Sequence, residues 1–345
     1  MKNKVSIFLT RATALALLAA PFCPIQAQEV YSATIGAVAV KVPSQSDVMV
    51  ALPFKQEKAA GGNVTAVDGS VASLGADTLT EGEFNATDGI ASHYLYVENE
   101  GLKGRHFDIV SNTASAVTLD AADLTGLSGA NVSIRAHWTL GTLFPEGVGY
   151  FKESQAGRRV VEVIVPDLRS VGGGLAANRI FYFYEDDTEA AWREVGKPLE
   201  SNLNSAVIEP GTAFVVRNNG ATDLDYFFFG EVEYGPLAIP IVSATGDSID
   251  NFVAVERPLG LTINDLQLHS SGVFGADDRL LVFSMAGGKN QAPKAYQYTG
   301  GAWQLEGDSA DAGSTMIKAG QGIAVRKAAG IDGTNYWVNE WSLAQ

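Results

Sequence analysis

IEPGTAFVVRN, residues 208–218, and IKAGQGIAVRK, residues 317–327, are one phrase written twice. Ile208/Ile317, Gly211/Gly320, Val216/Val325 and Arg217/Arg326 match in place. Pro210-Gly211 and Ala319-Gly320 suit a tight turn, because glycine tolerates positive φ. The residues that follow enter a strand, and arginine closes it. There the long stem lies along apolar surface with its head in water. An arginine-based site for an anion or sugar acid, and a salt bridge to a neighbouring acid, are the alternatives for Arg217 and Arg326.

The echo extends outward. A strand containing Arg179 precedes Trp192, the first phrase and the aromatic run Tyr226–Phe229. In the second copy Arg279 opens a strand, then come Trp303, the second phrase and Tyr336-Trp337. From tryptophan to turn glycine the spacing is 19 residues in one copy and 17 in the other. The run Gly287–Gln291 reads as an enlarged hairpin loop. A repeated order of strand, Trp, glycine turn and strand implies a repeated β-unit of roughly a hundred residues. The two copies form either two domains or two halves of one pseudo-symmetric sandwich.

Elsewhere, turn signals such as Gly61-Gly62-Asn63, Asp88-Gly89, Asn219-Gly220 and Gly300-Gly301 recur between short runs rich in Val, Ile, Thr, Phe and Tyr. Val48–Leu52, Tyr94–Val97, Ala116–Leu119, Val160–Val165, Ile180–Tyr184 and Leu280–Phe283 are such runs. Short strands at this spacing imply an all-β fold, sandwich or barrel. Leu261–Leu268 and Ala121–Leu127 each allow one short helix. NRIFYFY (178–184) and DYFFFG (225–230) are apolar on both faces and read as covered strands, or as strands offering an aromatic face. Breaks near Pro145-Glu146-Gly147 and within 235–246 divide the chain. The expected parts are a signal segment (1–27), an N-terminal β-barrel or sandwich domain (28–145), and two related β-sandwich-like units (146–240 and 241–345). The second break is too apolar for a free linker, so the units it joins pack together.

Lys2, Lys4 and Arg11, the apolar run Ala12–Ala20 and Ile25-Gln26-Ala27 form a secretory signal with cleavage near Ala27. Cleavage removes the sole cysteine, Cys23, and takes the net charge from -15 to -18. The 318 residues left must hold together by core burial without disulfides. No later stretch offers the ~18 apolar residues of a membrane helix. Strong acidity excludes a nucleic-acid backbone as partner. The expected setting is secreted, periplasmic or extracellular. The expected partners are a second copy, envelope components or extracellular glycan.

The sequence holds no G-x-S-x-G, H-E-x-x-H or Walker-type glycine loop. Gly172–Ala177 satisfies G-x-G-x-x-A after a strand, but a dinucleotide site needs a helix there, and NRIFYFY follows at once. The segment reads as a glycine loop. His93, His106, His137 and His269 have no ligand spacing, so zinc is not expected. The acid clusters at Asp186-Asp187 and Asp277-Asp278 read as solvated loops, with calcium binding or paired-carboxylate hydrolysis as alternatives. No other cofactor is expected. Trp192, Trp303, Trp337, Tyr182 and Tyr298 are candidates for stacking on sugar rings, although the same residue types fill β-sandwich cores.

SDVMVALPF (46–54), YLYVENEGLKGRHFDIVSNTASAVTLD (94–120), HWTLGTLFP (137–145), WREVG (192–196), DNFVAVERP (250–258) and AGQGIAVRK (319–327) occur in an order that resembles an uncharacterised family of secreted bacterial proteins. That family forms multiple paralogues in verrucomicrobial-type genomes. The resemblance spans about Ser46 to Gly330. It implies secretion and a β-rich build, and it supplies no site residues. The expected function is a non-catalytic interaction or surface-structural role, with a carbohydrate-binding module or a polysaccharide hydrolase as alternatives. If the signal reading holds, N-terminal sequencing of the exported chain begins at Gln28. A start at Met1 or at Cys23 contradicts it.

Overall fold

The computed structural model describes residues 33–75, 79–148, 159–166, 177–199 and 201–340. The segment 1–27 expected to be a signal, with Cys23, the glycine run 172–176 and Trp341 lie outside the described residues. Chain order begins with β1 (Ile35–Val42) and β2 (Ser46–Ala51). Seven strands follow: β3 (Lys58–Asn63), β4 (Ala66–Asp68), β5 (Val71–Ser73), β6 (His93–Val97), β7 (His106–Asn112), β8 (Ala116–Leu119) and β9 (Asn131–Ala136). Next come β10 (Trp138–Thr139), the one-turn helix α1 (Leu140–Leu143), β11 (Val161–Pro166), β12 (Ala177–Glu185) and β13 (Ala190–Glu194). β14 (Val207–Ile208), β15 (Ala213–Asn218) and β16 (Leu224–Glu231) complete this stretch. The last group is β17 (Leu237–Ser243), β18 (Ile249–Val253), β19 (Leu261–Thr262), β20 (Arg279–Val282) and β21 (Lys294–Thr299). It ends with β22 (Ala302–Leu305), β23 (Met316–Ile317), β24 (Ile323–Lys327) and β25 (Gly333–Asn339). The described chain is nearly all β.

Two of its sheets share one connectivity. The first has five strands in the order β13-β12-β11-β15-β2, beside the pairs β1-β16 and β10-β14. The second runs β22-β21-β20-β24-β18, beside the pairs β17-β25 and β19-β23. Strand for strand, β17–β25 take the places of β1, β2 and β10–β16. Smaller features follow. Leu140 N–H donates to Ala206 O at 2.9 Å, and Ile263 N–H donates to Thr315 O at 3.0 Å. α1 has its counterpart in a 3-10 turn at Asn264–Leu266. The Tyr226 hydroxyl donates to Leu143 O, and Trp337 Nε1 donates to Leu266 O at 2.7 Å. The half-buried Tyr226 and the buried Trp337 each thereby satisfy a carbonyl at the end of a short helix.

The difference between the halves is β3–β9, a seven-stranded sheet in the order β3-β9-β6-β7-β8-β5-β4 placed between β2 and β10. It has its own core, including Leu95, Ile109, Val117 and Ile134. The sheets therefore do not follow the boundary read near residue 145. β1 and β2 pair with β16 and β15, far away in sequence. The reason is alternation: Val38, Val40 and Val42 point inward with Leu224 and Phe228, into the core of Phe144, Phe181 and Phe214. Burying such side chains stabilises the fold by about 1.5–3 kcal/mol each.

Other local expectations meet mixed outcomes. Ala121–Leu127 carries no helix, and Leu261–Leu268 holds a two-residue strand and the 3-10 turn. Arg179 lies on β12 but Arg279 on β20, the counterpart of β11, so those two residues do not correspond. NRIFYFY forms β12, between β11 and β13, with Phe181, Tyr182 and Phe183 buried. DYFFFG does not become a covered strand. β16 pairs only with β1, so Phe228 is buried while Phe227 and Phe229 stack on the outer face, ring centroids 6.2 Å apart.

The repeated phrase joins the two halves. Ala51 N–H donates to Gly320 O at 3.0 Å, and Ala254 N–H donates to Gly211 O at 2.8 Å. The bridges Val50–Gln321 and Thr212–Val253 repeat the same exchange. Each half thus offers the other the same surface, as subunits do across a two-fold axis. Met49, Ala213, Phe252, Leu281 and Ala324 form the small core between them. Gly211 and Gly320 hold φ of 72° and 75°, where a Cβ is strained. A Cβ on Gly320 would also sit 2.8 Å from Val40 Cγ2, whereas one on Gly211 would meet Ile239 at 3.4 Å. Gly211→Ala is expected to cost about 1 kcal/mol and Gly320→Ala roughly 2–3 kcal/mol. Urea denaturation midpoints measure both, and equal losses contradict the packing argument.

Candidate functional site

Arg217 and Asp47 face each other across β15 and β2, and Arg326 and Asp250 do so across β24 and β18. Arg217 Nε and Nη2 donate to Asp47 Oδ1 and Oδ2 at 2.7 and 2.8 Å. Arg326 repeats those distances on Asp250. The arginines close their strands as bidentate ion pairs, so their forks are engaged with carboxylate rather than held in water. Burial works against the Asp47 charge, but the Arg217 hydrogen bond, helped by Asn290 N–H, holds its carboxyl below the ordinary range.

Asp47 and Arg217 stand in a cleft between the outer faces of the two five-stranded sheets. The faces touch at Met49, Ala213 and Phe252, then diverge towards β11 and β12. The space between is about 550 Å³. Met49, Ile164, Ile180, Val215, Phe252 and Phe283 form its apolar walls, and Asn290, Gln291 and Pro293 line it from the loop after β20. This size suits a small ligand or a few side chains of a partner. A smaller hollow of about 210 Å³ lies by Phe54, Trp138, Phe227 and Phe229.

The residues singled out from sequence do not gather in that cleft. Trp192, Trp303 and Trp337 are core residues, 1%, 3% and 0% exposed, so they offer no face to a sugar. Their indole rings fill the two sandwich interiors, and Trp192 Nε1 is satisfied by Phe144 O at 2.9 Å. Tyr182 is buried, and the Tyr298 ring stacks on His269 at 3.6 Å. Asp186 accepts from Thr188, Glu189 N–H and the Tyr184 hydroxyl, with the Thr188 hydroxyl lowering its pKa most, to about 2. That is a closed turn, with Asp187 exposed beside it. Asp278 is buried and accepts from Lys327 Nζ, Gly275 N–H and Ala328 N–H. These bonds engage the Asp186 and Asp278 carboxylates within the protein.

A second polar assembly carries no signal in the sequence. Lys55 is buried, 3.1 Å from Glu233 Oε2, 3.8 Å from Glu256 Oε2, and 3.1 Å from the centre of the Tyr96 ring. Burial pushes the Lys55 ammonium below its ordinary range, and Glu233 and Glu256 oppose that shift. Arg135 Nη2 donates to Glu231 Oε1 at 2.7 Å. Arg257 donates to Glu233 O and Gly235 O at 2.8 and 2.7 Å. Glu256 Oε1 accepts from Gly211 N–H at 2.8 Å. Tyr96 and Arg135 come from the insertion, Lys55 and Glu233 from the first half, and Glu256 and Arg257 from the second. The three sheets are thus tied at one buried ion cluster, with only about 10 Å³ of free space. That is too little for a substrate, and the cluster acts as a joint.

Beside this joint, Asp108, His137 and Glu209 are brought together from 29 and 72 residues apart in sequence. Their candidate ligand atoms lie within 4.8 Å of one another. The separate positions of these residues carry no spacing signal, which is why no metal cluster was legible.

Removing the Lys55 charge leaves the part-buried Glu233 and the buried Glu256 without it. Lys55→Met is expected to lower stability by about 3–5 kcal/mol. Adding Glu233→Gln recovers part of the loss, so the double variant is more stable than the sum of single effects implies. Additive losses in urea denaturation contradict the ion-cluster reading.

No protein-family model, curated protein or solved structure matches the chain.

Proposed function

We propose that this is a secreted, non-catalytic interaction protein of the cell envelope or its surroundings, which binds an apolar segment of a partner in the cleft between its two sheets. One observation carries the reading: a space of about 550 Å³ with apolar walls, whose Asp47 and Arg217 already neutralise each other. Such a cleft has volume for a ligand and no spare charged pair for acid–base work. The signal segment, and the resemblance to a family of secreted bacterial β-proteins, support the extracellular setting. The proposal includes the tandem reading: the halves are two copies of one β-unit, the first interrupted by the seven-stranded insertion. Their common strand order supports it.

A carbohydrate-binding role is less well supported, because the three tryptophans proposed as its platform are buried. Phe227 and Phe229 remain exposed but have no polar edge for sugar hydroxyls. A hydrolase needs two unengaged carboxylates across a cleft. Asp47 is the only carboxylate among the described residues lining this one, and it is held by Arg217. Among the described residues no helix is long and apolar enough to cross a membrane.

The test uses the mature chain and the fluorescent probe 8-anilinonaphthalene-1-sulfonate. Saturable, blue-shifted binding at one site is expected. Ile180→Trp fills the cleft and is expected to weaken that binding at least about tenfold, a loss of ~1.4 kcal/mol, with the thermal midpoint kept. Absence of saturable binding, or binding unchanged in Ile180→Trp, overturns the proposal.

A further inference from the structure

His137 stands where the insertion returns to the first half, directly after β9. Its side chain is fully enclosed. Nε2 lies 3.1 Å from Asp108 Oδ1 on β7. An ionised carboxylate only accepts hydrogen bonds, so Nε2 carries the hydrogen of this pair. In the neutral ring Nδ1 then presents a lone pair. Nδ1 is buried and has no hydrogen-bond partner. The group it faces is a carboxylate: Glu209 Oε2, 3.9 Å away, on the turn that leads into Pro210-Gly211. A lone pair facing a carboxylate without a hydrogen between them is unfavourable, and a cation placed there reverses the sign.

We propose that His137 Nδ1 and Glu209 bind a divalent transition-metal ion, with Asp108 as the carboxylate that fixes the imidazole from behind. The donor set decides the class of ion. Imidazole nitrogen favours zinc and its neighbours over calcium or magnesium, and the mature chain has no thiolate to compete. Zinc bonds to nitrogen and oxygen are about 2.1 Å, so a tetrahedral pair spans roughly 3.4 Å. Glu209 is 48% exposed and free to close the remaining half ångström or so, whereas His137 is held. The same exposure, with Asp108 at 34%, gives the ion a path from solvent and leaves positions for water. An Asp–His–metal relay of this kind sets the tautomer and raises the basicity of the ligating nitrogen.

The ion would join three pieces of the fold: β7 through Asp108, the link between β9 and β10 through His137, and the glycine turn through Glu209. Its binding is separate from the cleft, so failure of either proposal leaves the other standing.

Isothermal titration of untagged mature protein with zinc chloride tests this, with calcium chloride as the control ion. One zinc site per chain is expected, with no calcium heat. His137→Gln and Glu209→Gln are each expected to weaken zinc binding at least about tenfold, and Asp108→Asn by about 10–100-fold. Zinc is also expected to raise the thermal midpoint of the parent and not of Glu209→Gln. Glu209 is half exposed, so its variant folds and keeps the test open if His137→Gln does not. No zinc heat at about 1 mM metal, or parental affinity in Glu209→Gln or in folded His137→Gln, overturns the proposal.

Discussion

Two backbone hydrogen bonds set the arrangement on which the rest depends: Ala51 N–H to Gly320 O, and Ala254 N–H to Gly211 O. Neither belongs to a sheet within one half. Ala51 ends β2 and Ala254 directly follows β18, and each gives its N–H to the turn of the other half. A buried N–H without a partner costs about as much as a lost hydrogen bond, so both halves must dock for either to be satisfied. The turn must also come close, which explains glycine at positive φ in both copies. The repeated phrase is therefore the contact surface itself. A self-complementary contact requires matching residues twice, and 208–218 and 317–327 supply them within one chain.

The candidate site is a consequence of this docking. Twisted sheets that touch along two strands separate further out. Contact at Met49, Ala213, Phe252 and Ala324 gives way to open space beside Ile164 and Ile180. The Asp47–Arg217 pair at that opening holds its strands together and removes its own charge from the cleft. Towards the insertion, the joint is ionic instead. Lys55, Glu233, Glu256, Arg135 and Arg257 replace hydrophobic packing with directed contacts. Breaking such a buried pair is costly because it leaves an uncompensated charge.

Much of this was legible, and unevenly so. Local signals were dependable: glycine turns, β-branched runs and a repeated phrase led to an all-β chain. Arg217 and Arg326 were recognised as strand ends, but their carboxylates, Asp47 and Asp250, lie 170 and 76 residues away, and only pairing selects them. The grouping of residues 28–145 followed neighbourhood in sequence. The valines of β1 instead found Leu224 and Phe228 at long range. Tryptophan suits a sugar platform as well as a core, the core being the commoner use, and Trp192, Trp303 and Trp337 are buried. Lys55 follows an apolar run and opens the polar stretch Lys55-Gln56-Glu57-Lys58, so nothing local marks it as buried. Asp108, His137 and Glu209 share no motif and meet only because the insertion folds back on the first half.

Hydrogen exchange on the intact chain tests the reciprocal docking most directly, at the amides of Ala51 and Ala254. If the halves form one cooperative structure through these bonds, both amides exchange only by global unfolding. Their protection then matches that of central strand amides such as Val163 on β11 and Leu280 on β20. If Ala51 and Ala254 exchange through openings several kcal/mol below those central strands, the halves separate while each remains folded, and the account is wrong.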